Sequence, residues 1–210
     1  MTIILPLVFV LAAAVSARAE SPRIVAFGDS LTSGHGIGLA RAYPAVLQER
    51  MADAGLSGTM VNEGISGDTS GRALRRLQRA LEGDVRILIV ALGANDGVRG
   101  VPVAQLKANL SRIIETAQAR GISVILCGME ALPIYGWDYI VNFHNAYREL
   151  AATYKIPLVP FILANVIGNP LMMQPDHIHP SAAGARAIAE NIWPYLQPLV
   201  KANSELRTEN

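Results

Sequence analysis

The chain has 210 residues, 51% of them hydrophobic and 17% charged, which is long enough to bury a sizeable core and too apolar for a disordered segment. Eighteen basic residues against 17 acidic ones leave a formal net charge of +1. With no lysine-rich run beside that balance, nothing favours a nucleic-acid partner.

In chain order, the first unit is an apolar stretch from Ile3 to Val15, too short to span a bilayer comfortably. Ala17 and Ala19 then form an A-x-A pattern. Together they predict a signal peptide over residues 1–19, removed on export, and a mature single domain over 20–210. The expected location is periplasmic or secreted, with no stable membrane insertion once the signal is gone. Met1-Thr2 carries no basic residue, so an uncleaved anchor stays open as the alternative.

Five apolar runs of strand length follow: Arg23–Phe27, Thr59–Asn62, Arg86–Ala91, Ser123–Cys127 and Ile156–Val159. They read as strands buried on both faces. Helical spacing lies between them. Leu74, Leu77 and Leu81 make a short stripe, with Arg72, Arg75, Arg76 and Arg79 read as its solvated face. Val103, Leu106, Leu110, Ile113, Ile114 and Ala117 make a longer one, ended by Gly121. Asp138 is placed to cap a helix reaching Tyr154, and Pro180 to Tyr195 reads as a last helix. Strand and helix in alternation predict a three-layer α/β/α sandwich around a mainly parallel five-stranded sheet. Cys127, the only cysteine, closes an apolar run and reads as a buried hydrophobe; an intramolecular disulfide is excluded.

In such sheets ligands bind at the carboxyl ends of the strands, so a motif that follows a strand carries more weight. Gly28-Asp29-Ser30 follows the first strand, where Ser30 is either a nucleophile or the N-cap of a turn. Asn62-Glu63-Gly64-Ile65-Ser66-Gly67-Asp68 follows the second; its glycines let backbone approach a ligand, and an amide N–H there can serve an oxyanion. Gly93-Ala94-Asn95-Asp96-Gly97 follows the third, either as an Asn-Asp-Gly turn or with Asn95 facing the same cleft. The last motif is Asp176-His177-Ile178-His179-Pro180. An Asp three residues before a His can accept its ring N–H, which selects His179 over His177 as a base. A metal site from Asp176, His177 and His179 is the competing reading, but no H-E-x-x-H or clear further ligand accompanies it.

The four blocks FGDSLTSG, NEGISGDTSG, GANDG and DHIHP, in this order, resemble those of the SGNH (GDSL-type) hydrolase family from Ile24 to about Leu196. SGDTSG and GANDGVRG are most similar to its bacterial acyl-CoA thioesterase, lysophospholipase and arylesterase branch. The resemblance implies a flavodoxin-like fold and a serine esterase acting on small-molecule esters and thioesters. It implies Ser30 as nucleophile, His179 as base and Asp176 as its orienter, with an oxyanion hole from Ser30, Gly67 and Asn95. That chemistry needs no metal and no cofactor.

His35 is open between a cleft residue and a loop histidine, and His144 falls within a helical pattern near Phe143 and Tyr147. The stretch Gly128 to Trp137 is unusually apolar for a loop. It is either a loop folded onto the core or one wall of an acyl groove, with Leu132, Ile134 and Tyr135 as substrate-binding candidates. Other functions to weigh are a carbohydrate O-deacetylase, an exported non-catalytic binding protein and a metal-dependent phosphoesterase. The apolar loops favour an acyl chain over a sugar, and none of the triad residues is missing.

Overall fold

A computed structural model describes residues 22–208; the expected signal peptide, residues 1–19, lies outside them. Strands β1 (Arg23–Gly28), β2 (Thr59–Gly64), β3 (Val85–Ala91), β4 (Ser123–Cys127) and β5 (Leu158–Val159) form one sheet in the order β2-β1-β3-β4-β5. Every pairing is parallel. The strands β1, β3 and β4 are buried almost throughout, which is why their sequences run apolar without a two-residue alternation. At the edge, β2 is only half-buried and runs two residues past its expected end. On the other edge β5 keeps only two residues, because Pro157 has no N–H to give; its carbonyl still accepts from Leu126 N at 3.0 Å.

The helices are α1 (Ser30–Ser33), α2 (Tyr43–Asp53), α3 (Ser70–Ala80), α4 (Ala94–Val98), α5 (Val103–Gln118), α6 (Trp137–Tyr154) and α7 (Ala182–Thr208). Packing of α2 on α7, and of α3 on α5 and α5 on α6, gives a layer on each side of the sheet. In α5 the residues Leu106, Leu110, Ile113, Ile114 and Ala117 are all buried, as their spacing requires.

Three expectations are corrected. Asp138 sits inside the first turn of α6, and the N-cap is Gly136. The last helix continues well beyond Tyr195. Ile188, Ile192, Leu196 and Val200 make a buried i, i+4 stripe along it, while Pro194 and Pro198 lie on its exposed face. Carbonyls freed there by the missing N–H groups meet water, so the buried stripe outweighs the prolines. Among the α3 arginines, Arg72, Arg75 and Arg79 face solvent, but Arg76 turns inward. Its Nε binds Asp68 Oδ2 at 2.7 Å, its Nη2 donates to Gly28 O at 2.9 Å, and its guanidinium lies 4.4 Å from the Phe27 ring centroid.

The β1–β2 connection moves one way across the sheet and β2–β3 returns past β1. That reversal opens a crevice at the carboxyl ends of β1 and β3.

Candidate active site

Ser30 opens α1 immediately beyond β1 and is half-buried. The turn is fixed from several directions. Asp29 caps it, its Oδ1 accepting from Leu31 N at 3.0 Å. The Asn62 amide donates to Thr32 O at 2.7 Å, and Ile65 N donates to Gly28 O at 3.1 Å. Gly64 serves this packing rather than a ligand: a Cβ there would sit 2.2 Å from Ser33 N. Among the described residues the Ser30 hydroxyl itself forms no hydrogen bond. Active-site hydrogen bonds are often loose without substrate and tighten in the bound complex.

Asn95, in the short helix α4, donates from Nδ2 to Asp29 Oδ2 at 3.2 Å, which brings its amide beside the serine turn. Burial pushes the Asp29 carboxyl up to about 6, against the smaller lowering effects of the Leu31 N–H, the Asn95 amide and the His179 charge. The neighbouring Asp96 is buried, which raises its pKa, and ties the β3 end to the second loop. It accepts from Ser70 N at 2.8 Å and from Ser70 Oγ at 2.6 Å. Asn109 Nδ2 in turn donates to Ser70 Oγ at 2.9 Å. Gly67 has φ 80°, a left-handed conformation that favours glycine. Its carbonyl accepts from Arg99 Nη2 at 3.1 Å.

Asp176 and His179 sit on a hairpin pinned by an antiparallel bridge between Met173 and Pro180. Gln174 N donates to His179 O at 2.8 Å, and Ser181 N donates to Met172 O at 2.8 Å. Asp176 Oδ1 accepts from the N–H groups of Ile178 and His179, each at 3.0 Å, and Oδ2 lies 2.7 Å from His179 Nδ1. The His179 N–H and ring, then Ile178 N–H, hold the Asp176 carboxyl well below the usual carboxylate range. An ionised partner fixes the tautomer, with the proton on Nδ1 and Nε2 left as acceptor. His177 is exposed at φ 57°, and both Asp176 oxygens are engaged by this hairpin. Among the described residues, no group of three or more His, Cys, Asp and Glu side chains is placed to hold a metal ion.

His35 turns out to belong to the cleft: its ring centroid lies 4.3 Å from that of His179. His144 stays on the surface, 2.7 Å from Glu130 Oε1. Cys127 is fully buried, and burial drives its thiol pKa upward. The stretch after β4 does both things open to it. Met129 is buried and Ala131 packs on the core, whereas Leu132, Ile134 and Tyr135 turn outward, with Ile134 62% exposed. Tyr135 Oη donates to Val98 O at 3.0 Å, joining this loop to the exposed Val98 beyond β3. Asp29, Asp96 and Gln174 are the parts that sequence reasoning missed, and His35, left open there, takes the cleft position.

A parallel sheet whose polar groups converge at one strand reversal belongs to the three-layer α/β enzymes that work at such a crevice. The GDSL-like lipase/acylhydrolase family model matches residues 26–187, and the chain belongs to that family. It is 41% identical to esterase TesA of Pseudomonas aeruginosa over 184 residues, 87% of this chain and 92% of that one. It is 35% identical to an arylesterase of Vibrio mimicus over 187 residues, 89% and 92% of the two chains. With thioesterase 1/protease 1/lysophospholipase L1 of Escherichia coli it shares 33% over 201 residues, 95% of each. A crystal structure of TesA superposes with a TM-score of 0.80 at 42% identity, covering 84% of this chain and 99% of that one. The chain is thus an ester-hydrolysing enzyme of the SGNH type.

Proposed function

We propose that this enzyme is an exported serine esterase in which Ser30 is the nucleophile, His179 the base and Asp176 its orienter. Residues 1–19 serve as the export signal, and 20–210 form the mature single catalytic domain in the periplasm or medium. The observation that carries the triad is the Asp176 carboxylate, whose two oxygens take the ring N–H and two backbone N–H groups of one short hairpin.

His179 Nε2 takes the Ser30 proton as Oγ attacks the ester carbonyl. The carbonyl π electrons move to oxygen, and the N–H groups of Ser30 and Gly67 with the Asn95 amide hold that charge. As the carbonyl re-forms, the bond to the leaving oxygen or sulfur breaks, and His179 gives its proton to the leaving group. Water then adds to the acyl-enzyme with His179 again as base, releasing the acid and restoring Ser30. No metal or cofactor takes part. Oxygen esters and thioesters both suit this scheme, and acyl-CoA, lysophospholipid and aryl or short-to-medium acyl esters are the substrate classes proposed. The names of the relatives and the outward apolar residues Leu132, Ile134 and Tyr135 support an acyl substrate.

The test is a p-nitrophenyl ester series on the purified secreted chain, whose N-terminus is expected at Glu20. Ser30→Ala is expected to lose turnover by on the order of 10⁶, with no effect of a chelator on the parent enzyme. Asn95→Ala is expected to lower kcat by on the order of 10²–10³ while KM changes little. Full activity in Ser30→Ala would overturn the proposed mechanism.

A further inference from the structure

We infer that His35 is a positioning residue for the base: its imidazole stacks on His179 and fixes the plane of that ring. This rests on the assignment of His179 as base. Asp176 grips His179 through one ring nitrogen, at 2.7 Å, and the Asp176 side chain is 42% exposed. A ring held by a single hydrogen bond in its own plane can still rock about that bond. His35 covers the ring at a centroid distance of 4.3 Å, with the two planes tilted by 39°. Aromatic groups at such separations attract in tilted and offset arrangements.

His35 is itself held from both sides of the cleft. Gln174 Nε2 donates to His35 O at 2.7 Å and also to Pro180 O at 2.9 Å, so one amide joins the His35 loop to the base hairpin. The adjacent Gly36 leaves the space this amide needs, since a Cβ there would lie 2.1 Å from Gln174 Oε1. On the other side, His35 Nδ1 lies 3.5 Å from Ser66 Oγ, and Ser66 Oγ lies 3.0 Å from Ser33 Oγ. Ser66 precedes Gly67, and Ser33 ends the helix that Ser30 begins. The His35 side chain therefore bridges the glycine loop and the base hairpin, and Ser66 carries the link on to the serine turn. Small errors in the placement of a reacting group lower turnover rather than binding.

The experiment compares His35→Ala, His35→Phe and Gln174→Ala with the parent chain and Ser30→Ala on p-nitrophenyl butyrate, with urea midpoints recorded for each. His35→Ala is expected to lose on the order of tenfold in kcat with KM within about twofold. His35→Phe restores a flat ring and is expected to recover most of that loss. Gln174→Ala loosens the tether and is expected to fall between them, which keeps the test available if His35→Ala does not fold. A kcat for His35→Ala within about twofold of the parent overturns the inference on the same scale. So does a raised KM at unchanged kcat, which would make His35 a wall of the substrate cleft, or a His35→Phe enzyme as slow as His35→Ala. An inactive Ser30→Ala beside an unimpaired His35→Ala leaves the triad standing and removes only the role of His35; an active Ser30→Ala removes the triad itself.

Discussion

The carboxyl of Asp29 is buried beside Ser30, the proposed nucleophile, and burial raises its pKa from 3.8 to about 6 while Leu31 N–H and the Asn95 amide hold its charged form. A raised acid pKa means that the folded state binds this proton more tightly than the unfolded chain does. The resulting stability is complete below pH 3.8 and is lost as pH rises through about 6. The full swing is about 3 kcal/mol. Asp29→Asn has no such titration, so its urea midpoint relative to the parent is expected to climb between pH 4 and pH 7. A constant difference across that range would refute the assignment. The serine, glycine, asparagine and histidine blocks were legible because each is contiguous and follows a strand or forms its own turn. His35 stayed open between cleft and loop, because nothing in local spacing reveals a ring contact with His179 on another loop. Asp29 and Asp96 sat in plain view inside two of the blocks, yet their roles depend on partners in different loops.

Element by element, apolar runs located all five strands because a sheet covered on both faces demands them. The helix α2 went unread, since Tyr43, Leu47 and Met51 give only a thin buried stripe behind Pro44. The helix α7 runs past its expected end at Tyr195, because its buried stripe continues through Leu196 and Val200 despite Pro194 and Pro198. Arginine spacing in α3 hid the inward Arg76 among outward neighbours, as periodicity cannot show that Asp68 is waiting beneath it. Arg76→Ala would leave the buried Asp68 with only the longer 3.5 Å contact to Arg72 and strip a donor from Gly28 O. A loss of about 3 kcal/mol is expected from the urea midpoint. A loss below about 1 kcal/mol would mean that the pair is solvated like a surface bridge.

At the scale of the whole molecule, the apolar surface is uneven. Val98, Leu132, Ile134, Tyr135 and Trp137 are all exposed, and all lie in the segments that follow β3 and β4: Val98 ends α4, Trp137 begins α6 and the other three lie on the loop between β4 and α6. Among the described residues no helix is long and apolar enough to cross a membrane. An apolar lip beside a polar centre suits an acyl chain laid across it. The double substitution Leu132→Asp with Ile134→Asp is expected to lower kcat/KM for long p-nitrophenyl esters on the order of tenfold or more and to spare the acetate. An unchanged chain-length profile would show that substrate does not use the lip. The hairpin that carries the proposed base has a different consequence. Asp176 and His179 share one short segment whose ends are pinned between Met172 and Ser181, outside the sheet. They are therefore inherited together: a deletion of a few codons could remove both and leave every strand in place. If the proposed triad holds, a lineage would turn such an enzyme into a binding scaffold in a single generation, with its exposed apolar lip intact.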